Sequence, residues 1–427
     1  MSAAILLVLL AVLFLLNTPI AIAIAVASIS AIAIKGDYSL MVVIQKMFGG
    51  ADSFHLMAVP LFMYAGLIME KGGISRRLID LANAMVGWLP GGLAAVTVVS
   101  AMFFAGISGS AAADTAAVGA LLIPAMKKSG YDSDFAGAVQ AAGGSIGVII
   151  PPSIPMIIFG YLTGASIGRL FAAGILPGIL IGLSLIAIAT ILSRKYGYGA
   201  ALPFSWRRLL KNFLTAIPAL GAPLIILGGI LGGIFTATES AAAAVFYSLL
   251  VGFFIHRELA FKDLNSIFVE GSVIAAIVMF IIATASIFSW VAAIDDIPGR
   301  LAGSLLSVSE NPVVLLLLIN LVLLIAGTFV ETTAALILLV PMIVTLVPSL
   351  GIDPVQLGVI VVTNLAIGML TPPMGICLIV SASISGASIG AISRKIIPFL
   401  LILLVDLLII TFYAPLTTWL PKLLIGT

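Results

Sequence analysis

143-GGSIGVIIPPSIPM-156 sets two adjacent prolines inside an apolar segment of membrane length, and 364-NLAIGMLTPPMGIC-377 does the same in the second half of the chain. A proline pair removes two backbone donors and pushes the residue before it out of the helical region, so each segment must break at depth. Pro151 and Pro372 stand 221 residues apart. The same spacing relates Gly106 to Gly327, Gly130 to Gly351, Asp132 to Asp353, Gly147 to Gly368 and Pro177 to Pro398, and 164-GASIG-168 recurs one residue later as 386-GASIG-390. The chain is two copies of one unit. Matching broken apolar segments in two halves are the sequence mark of the central binding site of a secondary transporter.

Composition agrees. Of 427 residues, 62% are hydrophobic and 8% charged, with a mean hydropathy of +1.32. Polar groups that scarce cannot cover a soluble globule of this size, so an all-α polytopic membrane protein is expected. The net charge of +2 is spread among loops and gives no face for nucleic acid. Cys377 is the single cysteine, which excludes an intrachain disulfide and a cysteine-cluster metal site. The first Lys or Arg is Lys35, so the N-terminus lacks the charged region of a cleavable signal and reads as mature structure. As one straight helix the uncharged stretch 1–34 would be about 50 Å long against a hydrocarbon core of about 30 Å. Asn17-Thr18-Pro19 at its middle favours two short segments.

After a loop holding Lys46 and Asp52, an apolar segment runs from about Leu56 to Ile68. The amphipathic stretch 74-ISRRLIDLANAMVGWL-89 reads as a helix along the membrane surface, with 294-IDDIPGRLAGSLLSV-308 as its counterpart. Such a pair suits either arms joining two moving parts or plain connectors. The run 92–126 is too long for one span and is split by 106-GISGS-110, which predicts a re-entrant hairpin. The second half repeats it, with its tip at 327-GTFVETT-333. Irregular backbone at that depth is tolerated only against protein or a water-filled cavity. Arg194, Lys195, Arg207, Arg208 and Lys211 form the densest positive cluster, which the positive-inside tendency places in the cytoplasm. Counting spans from there makes the first hairpin open to the cytoplasm beside Lys127-Lys128 and the second to the opposite side. The halves are then inverted, and the architecture is an inverted-repeat, elevator-type transporter with two re-entrant hairpins and two broken helices.

Each break ends one half-helix, with unpaired carbonyls, and starts another from the second proline, with N–H groups and a positive dipole end. Neutral carbonyl and hydroxyl oxygens suit Na⁺, and half-helix N-termini suit a carboxylate. One Na⁺ site is predicted per repeat. The first combines Gly106, Ser108, Gly147, Ile150 and Ser153; the second combines Gly327, Thr328, Gly368, Thr371 and Met374. The substrate is expected between the tips, against Ser108, Ser110, Ser153 and Glu331. Glu331 sits where the repeat places Ser110. An ionisable group at that depth suits a cation ligand, a substrate partner or a gate, beside the plainer reading of a satisfied structural carboxylate. Asp114 caps or supports the first tip, Glu239 suits a backbone bond at a turn, and Asp406 faces its neighbours in the last span.

Gly106-Ile107-Ser108-Gly109 also fits the G-x-S-G pattern of an intramembrane serine protease. That chemistry needs a base placed to take the serine proton. The only histidines, His55 and His256, lie at membrane borders, so no enzyme is expected. A passive channel fits inverted, broken repeats less well than alternating access does.

At 105-AGISGSAAADTAAVGALLIPAM-126, 147-GVIIPPSIPM-156 and 364-NLAIGMLTPPMGICL-378 the chain resembles the large membrane subunit of TRAP (tripartite ATP-independent periplasmic) transporters, over essentially its whole length. The stand-alone divalent-anion/Na⁺ symporters share the architecture with different tips. The resemblance implies a Na⁺-driven symporter of the bacterial inner membrane. It also implies a small membrane subunit, and a periplasmic binding protein that delivers an organic acid, either sialic acid or a C4-dicarboxylate; the serine-rich first tip looks most like the sialic-acid subgroup. The expected division is scaffold 1–91 with an arm helix, transport repeat 92–197, scaffold 198–311 with its arm, and transport repeat 312–427.

Overall fold

A computed structural model describes residues 2–16, 18–199 and 203–426. Asn17, one residue of the break expected in the N-terminal stretch, lies outside them. Among the described residues there are helices and no strands, and seven helices are long and apolar enough to cross a membrane. The first half begins with α1 (Ser2–Leu15) and α2 (Ile20–Lys35), two short helices packed on each other as the 34-residue stretch suggested. Next come α3 (Met41–Ala51), α4 (Ala58–Lys71) and α5 (Ile74–Val86), the first arm. The first hairpin is α6 (Gly92–Ser108) and α7 (Ala111–Lys128), and the broken helix is α8 (Ser133–Ser145) and α9 (Ile154–Thr163), followed by α10 (Ile167–Tyr196). The second half runs α11 (Trp206–Leu231), α12 (Ala237–Leu250), α13 (Phe261–Ile294) and the arm α14 (Ile297–Val308). Its hairpin is α15 (Pro312–Phe329) and α16 (Thr332–Ile343), then the short α17 (Val347–Leu350). The second broken helix is α18 (Pro354–Gly368) and α19 (Ile376–Ser385), before α20 (Ile389–Phe412) and α21 (Pro415–Ile425).

The repeat is visible atom by atom. Pro151-Pro152 and Pro372-Pro373 are both cis. Gly164 and Gly386 close α9 and α19 with the same φ of 73° and ψ of 6°, and Ser166 and Ser388 cap α10 and α20. Packing obeys the exchange too. α7 packs on α19 as α16 packs on α9; α8 packs on α19 and α20 as α18 packs on α9 and α10. Each half's hairpin therefore closes on the other half's broken helix.

Two equivalent aspartates prove the inversion. Asp132, at the start of α8, accepts a hydrogen bond from the Tyr198 hydroxyl at 2.7 Å, just past the end of α10. Asp353, at the start of α18, meets Arg169 at 3.2 Å, at the beginning of α10. α10 has 30 residues, about 45 Å of helix, so repeat-equivalent positions stand at opposite ends of one span. Lys127 donates to the Ser385 carbonyl at 2.8 Å and the Lys395 ammonium lies 4.1 Å from the Tyr196 ring centre, which fastens the two repeats at the end opposite the Arg169–Asp353 pair.

Two local expectations need correction. The loop expected around Lys46 and Asp52 is helix α3 as far as Ala51, in which Gln45 and Lys46 interrupt the apolar composition without interrupting the backbone. α3 and α4 meet at 59°, whereas the corresponding stretch of the second half is the single 34-residue α13. The second half-helices also start later than the second proline. Ser153, with φ −126° and ψ 120°, is the cap of α9, and Gly375 fills that place for α19.

Candidate functional site

Gly109 decides the first tip. Its φ of 63° ends α6, and a Cβ there would lie 2.7 Å from the Pro152 carbonyl oxygen, so the hairpin can rest on the broken helix only through glycine. The Ile154 N–H donates back to the Gly109 carbonyl at 3.4 Å. Gly106 faces Pro223 of α11, with the Pro151 carbonyl oxygen beyond it at 3.9 Å from an added Cβ, and Gly147 faces the first turn of α7, where its missing Cβ would fall 2.3 Å from Asp114 Oδ2. Of the first predicted cluster, Ser108 and Gly147 are brought together, around Asp114. That carboxylate is fully buried; Oδ1 accepts the Ser108 hydroxyl, and Oδ2 has no hydrogen-bond partner. The carbonyl of the same Gly147 has no i+4 donor, because residue 151 is proline and the Ile150 N–H goes to Ile146. A buried unpaired carboxylate oxygen beside neutral oxygens is a donor set for a hard cation such as Na⁺.

Other members turn away. The Ser153 hydroxyl donates to the Val148 carbonyl at 2.5 Å and accepts from the Met156 N–H as the α9 cap. Ile150 packs on Gly178 of α10. In the second cluster Gly327 and Gly368 meet backbone to backbone, but Thr328 and Thr371 return their hydroxyls to the Leu324 and Ile367 carbonyls. The Gly368 carbonyl accepts the Thr371 N–H at 2.9 Å, the Thr371 carbonyl accepts the Gly375 N–H at 3.2 Å, and Met374 is 53% exposed.

A cavity of about 470 Å³ lies between the tips, walled by α2, α4 and α13 on one side and by both hairpins and both breaks on the other. Ser110 and Glu331 line it, with Gly109, Thr333 and Met369; Ser108 and Ser153 do not. Thr333 was within the quoted tip and Pro19 beside a recognised break, but nothing in the sequence marked Ile274–Ile281 of α13 as a wall. Four helix N-termini, of α2, α7, α9 and α16, end on the cavity, and their states differ; that of α2 brings apolar side chains and no capping hydroxyl. Glu331 accepts the Thr333 and Ala334 N–H groups at 2.9 and 3.3 Å, so the α16 end is already neutralised. α9 has spent its donors on Gly109 and Ser153. The first N–H groups of α7, on Ala111 and Ala112, have no preceding turn to bind and face the cavity beside the Ser110 hydroxyl.

Of the other acids singled out in the sequence, Glu239 closes a capping box with Thr236, and Asp406 Oδ1 accepts the Ser184 hydroxyl at 2.9 Å while its Oδ2 is buried with no hydrogen-bond partner. His256 hydrogen-bonds the Gly72 carbonyl at 3.0 Å, while Ser108 pairs with Asp114, so the G-x-S-G stretch has an acid and no histidine as its partner.

Inverted hairpin-and-broken-helix repeats around a central cavity with polar tips define a polytopic membrane permease. Residues 7–416 match the family described as tripartite ATP-independent periplasmic transporter, DctM component, and the chain belongs to that family as a large permease subunit, not an enzyme. It is 40% identical to the C4-dicarboxylate TRAP transporter large permease protein DctM of Pseudomonas aeruginosa over 88% of each chain, and 39% identical to the sialic acid TRAP transporter large permease protein SiaM of Vibrio cholerae over 90% of each. It is 43% identical to the isethionate TRAP transporter permease protein DctMQ of Oleidesulfovibrio alaskensis over 93% of this chain, which spans 63% of that protein. The solved YdaH transporter of Alcanivorax borkumensis shares the fold, with a TM-score of 0.57 at 16% identity over 87% of this chain and 86% of that one.

Proposed function

We propose that the chain is the permease of a Na⁺-driven importer of organic acids in a bacterial inner membrane, working with a small membrane subunit and a periplasmic binding protein. The relatives' named cargoes, C4-dicarboxylate, sialic acid and isethionate, are all small anions. One observation carries the reading: the α7 N-terminus, with Ser110 and two unspent N–H groups, opens on the central cavity one helical turn from the unpaired oxygen of Asp114. The acid's carboxylate sits on Ser110, Ala111 and Ala112, where a helix N-terminus favours negative charge. Glu331 holds the opposite tip, meets the cargo's hydroxyl or amine groups, and keeps a second carboxylate off α16.

Na⁺ binds first. One turn is about 5 Å, and at an effective dielectric of about 20 two unit charges at that range interact by about 3 kcal/mol. Bare Asp114 therefore opposes the acid about a hundredfold, and a Na⁺ held by Asp114, the Gly147 carbonyl and Ser108 removes the opposition. A second Na⁺ takes the remaining lone pairs of the Gly368 and Thr371 carbonyls beside Gly327, since each already accepts one N–H. The hairpins, broken helices, α10 and α20 move as the transport domain against a scaffold of 1–91 and 198–311.

The test is uptake of labelled succinate, sialic acid and isethionate into proteoliposomes holding both membrane subunits, with binding protein outside and a Na⁺ gradient. Uptake that needs Na⁺ in the wild type, and loses that dependence together with most of its rate in Asp114→Asn, is expected. Wild-type uptake indifferent to Na⁺ overturns the coupling.

A further inference from the structure

A second cavity, of about 540 Å³, lies between α3 and α13 on one side and α9 and α16 on the other. It lies along the same helices as the central one and shares no lining residue with it. α9 contributes Ile154 and Pro155 to the central cavity and Ile158 and Tyr161 to this one; α16 contributes Thr333 and then Ile337; α13 contributes Ile281 and then Ile282 to Ser289. The two linings are one turn apart on α9 and α16 and abut on α13, the second lying towards the end of the molecule where Arg169 meets Asp353 and away from Lys127.

Its chemistry differs from that of its neighbour. Lys46 is the one charged side chain among the described residues lining it, and Gln45, Tyr161, Ser286 and Ser289 add neutral polar groups. The Lys46 ammonium rests 5.7 Å from the Trp290 ring centre, an exposed cation–π contact that is easily exchanged for an anion. The Tyr161 hydroxyl donates to the Gly50 carbonyl at 3.0 Å, joining the α9 wall to the α3 wall across the space. On the α3–α13 side the wall is closed by contact, since a Cβ on Gly50 would fall 1.8 Å from Ser286 Oγ.

We propose that this cavity is a separate anion-binding vestibule in which Lys46 holds a small organic carboxylate before it enters the central site, with the Tyr161–Gly50 bond as the tie that closes over it. The proposal rests on the central cavity being the substrate site, and commits to a soluble carboxylate because the lining lies between the two walls and adjoins that site along α9, α13 and α16.

Ser289→Cys supplies a probe, and buried Cys377 gives little background. The reagents are the anionic sulfonatoethyl and cationic trimethylammonioethyl methanethiosulfonates, their rates normalised to a small free thiol, on the protein in phosphatidylcholine nanodiscs. A cleft lined by one sign of charge is expected to favour the anionic reagent about tenfold. Lys46→Gln should abolish that preference, Lys46→Arg should keep it, and millimolar succinate should slow anionic labelling. No preference, or one that Lys46→Gln leaves intact, overturns the vestibule. Protection by added phosphatidylglycerol but not by succinate overturns it too, since the occupant is then a lipid headgroup. Labelling needs no transport, so the two readings fail separately. Na⁺-dependent uptake without the preference speaks against the vestibule alone, and the preference without uptake speaks against the central site alone.

Discussion

Gly368 and Gly327 touch so closely that a Cβ on Gly368 would lie 2.5 Å from the Gly327 Cα and carbonyl carbon. No flexible side chain is there to yield. Gly368→Ala is therefore expected to cost about 1–3 kcal/mol, as overpacking does, and to lower the melting temperature of the purified protein by several degrees. Gly390→Ala, with nothing within 4 Å of the added atom, is the control expected to change nothing. An unchanged Gly368→Ala would refute the close seating of the second hairpin. At this scale the sequence showed which positions matter better than it showed where their atoms point. Ser108, Ser110 and Ser153 are equivalent as letters. Yet Ser108 is drawn inward by Asp114, Ser153 is used as a helix cap, and only Ser110 reaches the central cavity. Hydroxyl direction depends on a partner that no spacing rule names.

Glu331 is the cap of α16 as well as a wall of the cavity, and the two roles separate by substitution. Glu331→Ala removes the acceptor of two N–H groups and should cost about 1 kcal/mol of stability. Glu331→Gln keeps an acceptor oxygen, so its melting temperature should stay near that of the wild type while uptake falls. Equal stability losses in both would leave Glu331 only a structural part. At the first arm, Arg77 bonds the Gly73 carbonyl at 2.6 Å and Glu258 at 2.8 Å, and His256 bonds Gly72. Burial pushes the His256 imidazole below its ordinary 6.5, with Arg77 acting the same way and the Gly72 bond and Glu258 opposing. Folding therefore favours the neutral ring. Its contribution is complete above 6.5 and is lost as the pH falls through the lowered value. The melting temperature should drop more between pH 7 and pH 5 in the wild type than in His256→Gln; equal drops would count against it. The break between α6 and α7 was legible because 106-GISGS-110 marks it. α3 was not, because Gln45-Lys46 looked like a loop, and its lysine is what distinguishes the second cavity.

At the scale of the whole molecule, the 221-residue spacing carried most of the architecture, because equal spacing of glycines and prolines forces equal backbone geometry in both halves. The contacts between halves had no such signal. Only the folded chain shows each hairpin closing on the other repeat's broken helix, and only there does the wall supplied by α13 appear. The central claim is that the repeats are inverted across a membrane, and labelling from one side tests it most directly. Lys128 and Ser349 are equivalent under the 221-residue spacing, and both are exposed. Single Lys128→Cys and Ser349→Cys variants in intact spheroplasts would be treated with a membrane-impermeant maleimide before and after lysis. The account predicts that Cys at 349 reacts at once and Cys at 128 only after lysis. Labelling of both from the same side would contradict the inverted repeat, and with it the alternating-access mechanism built on it.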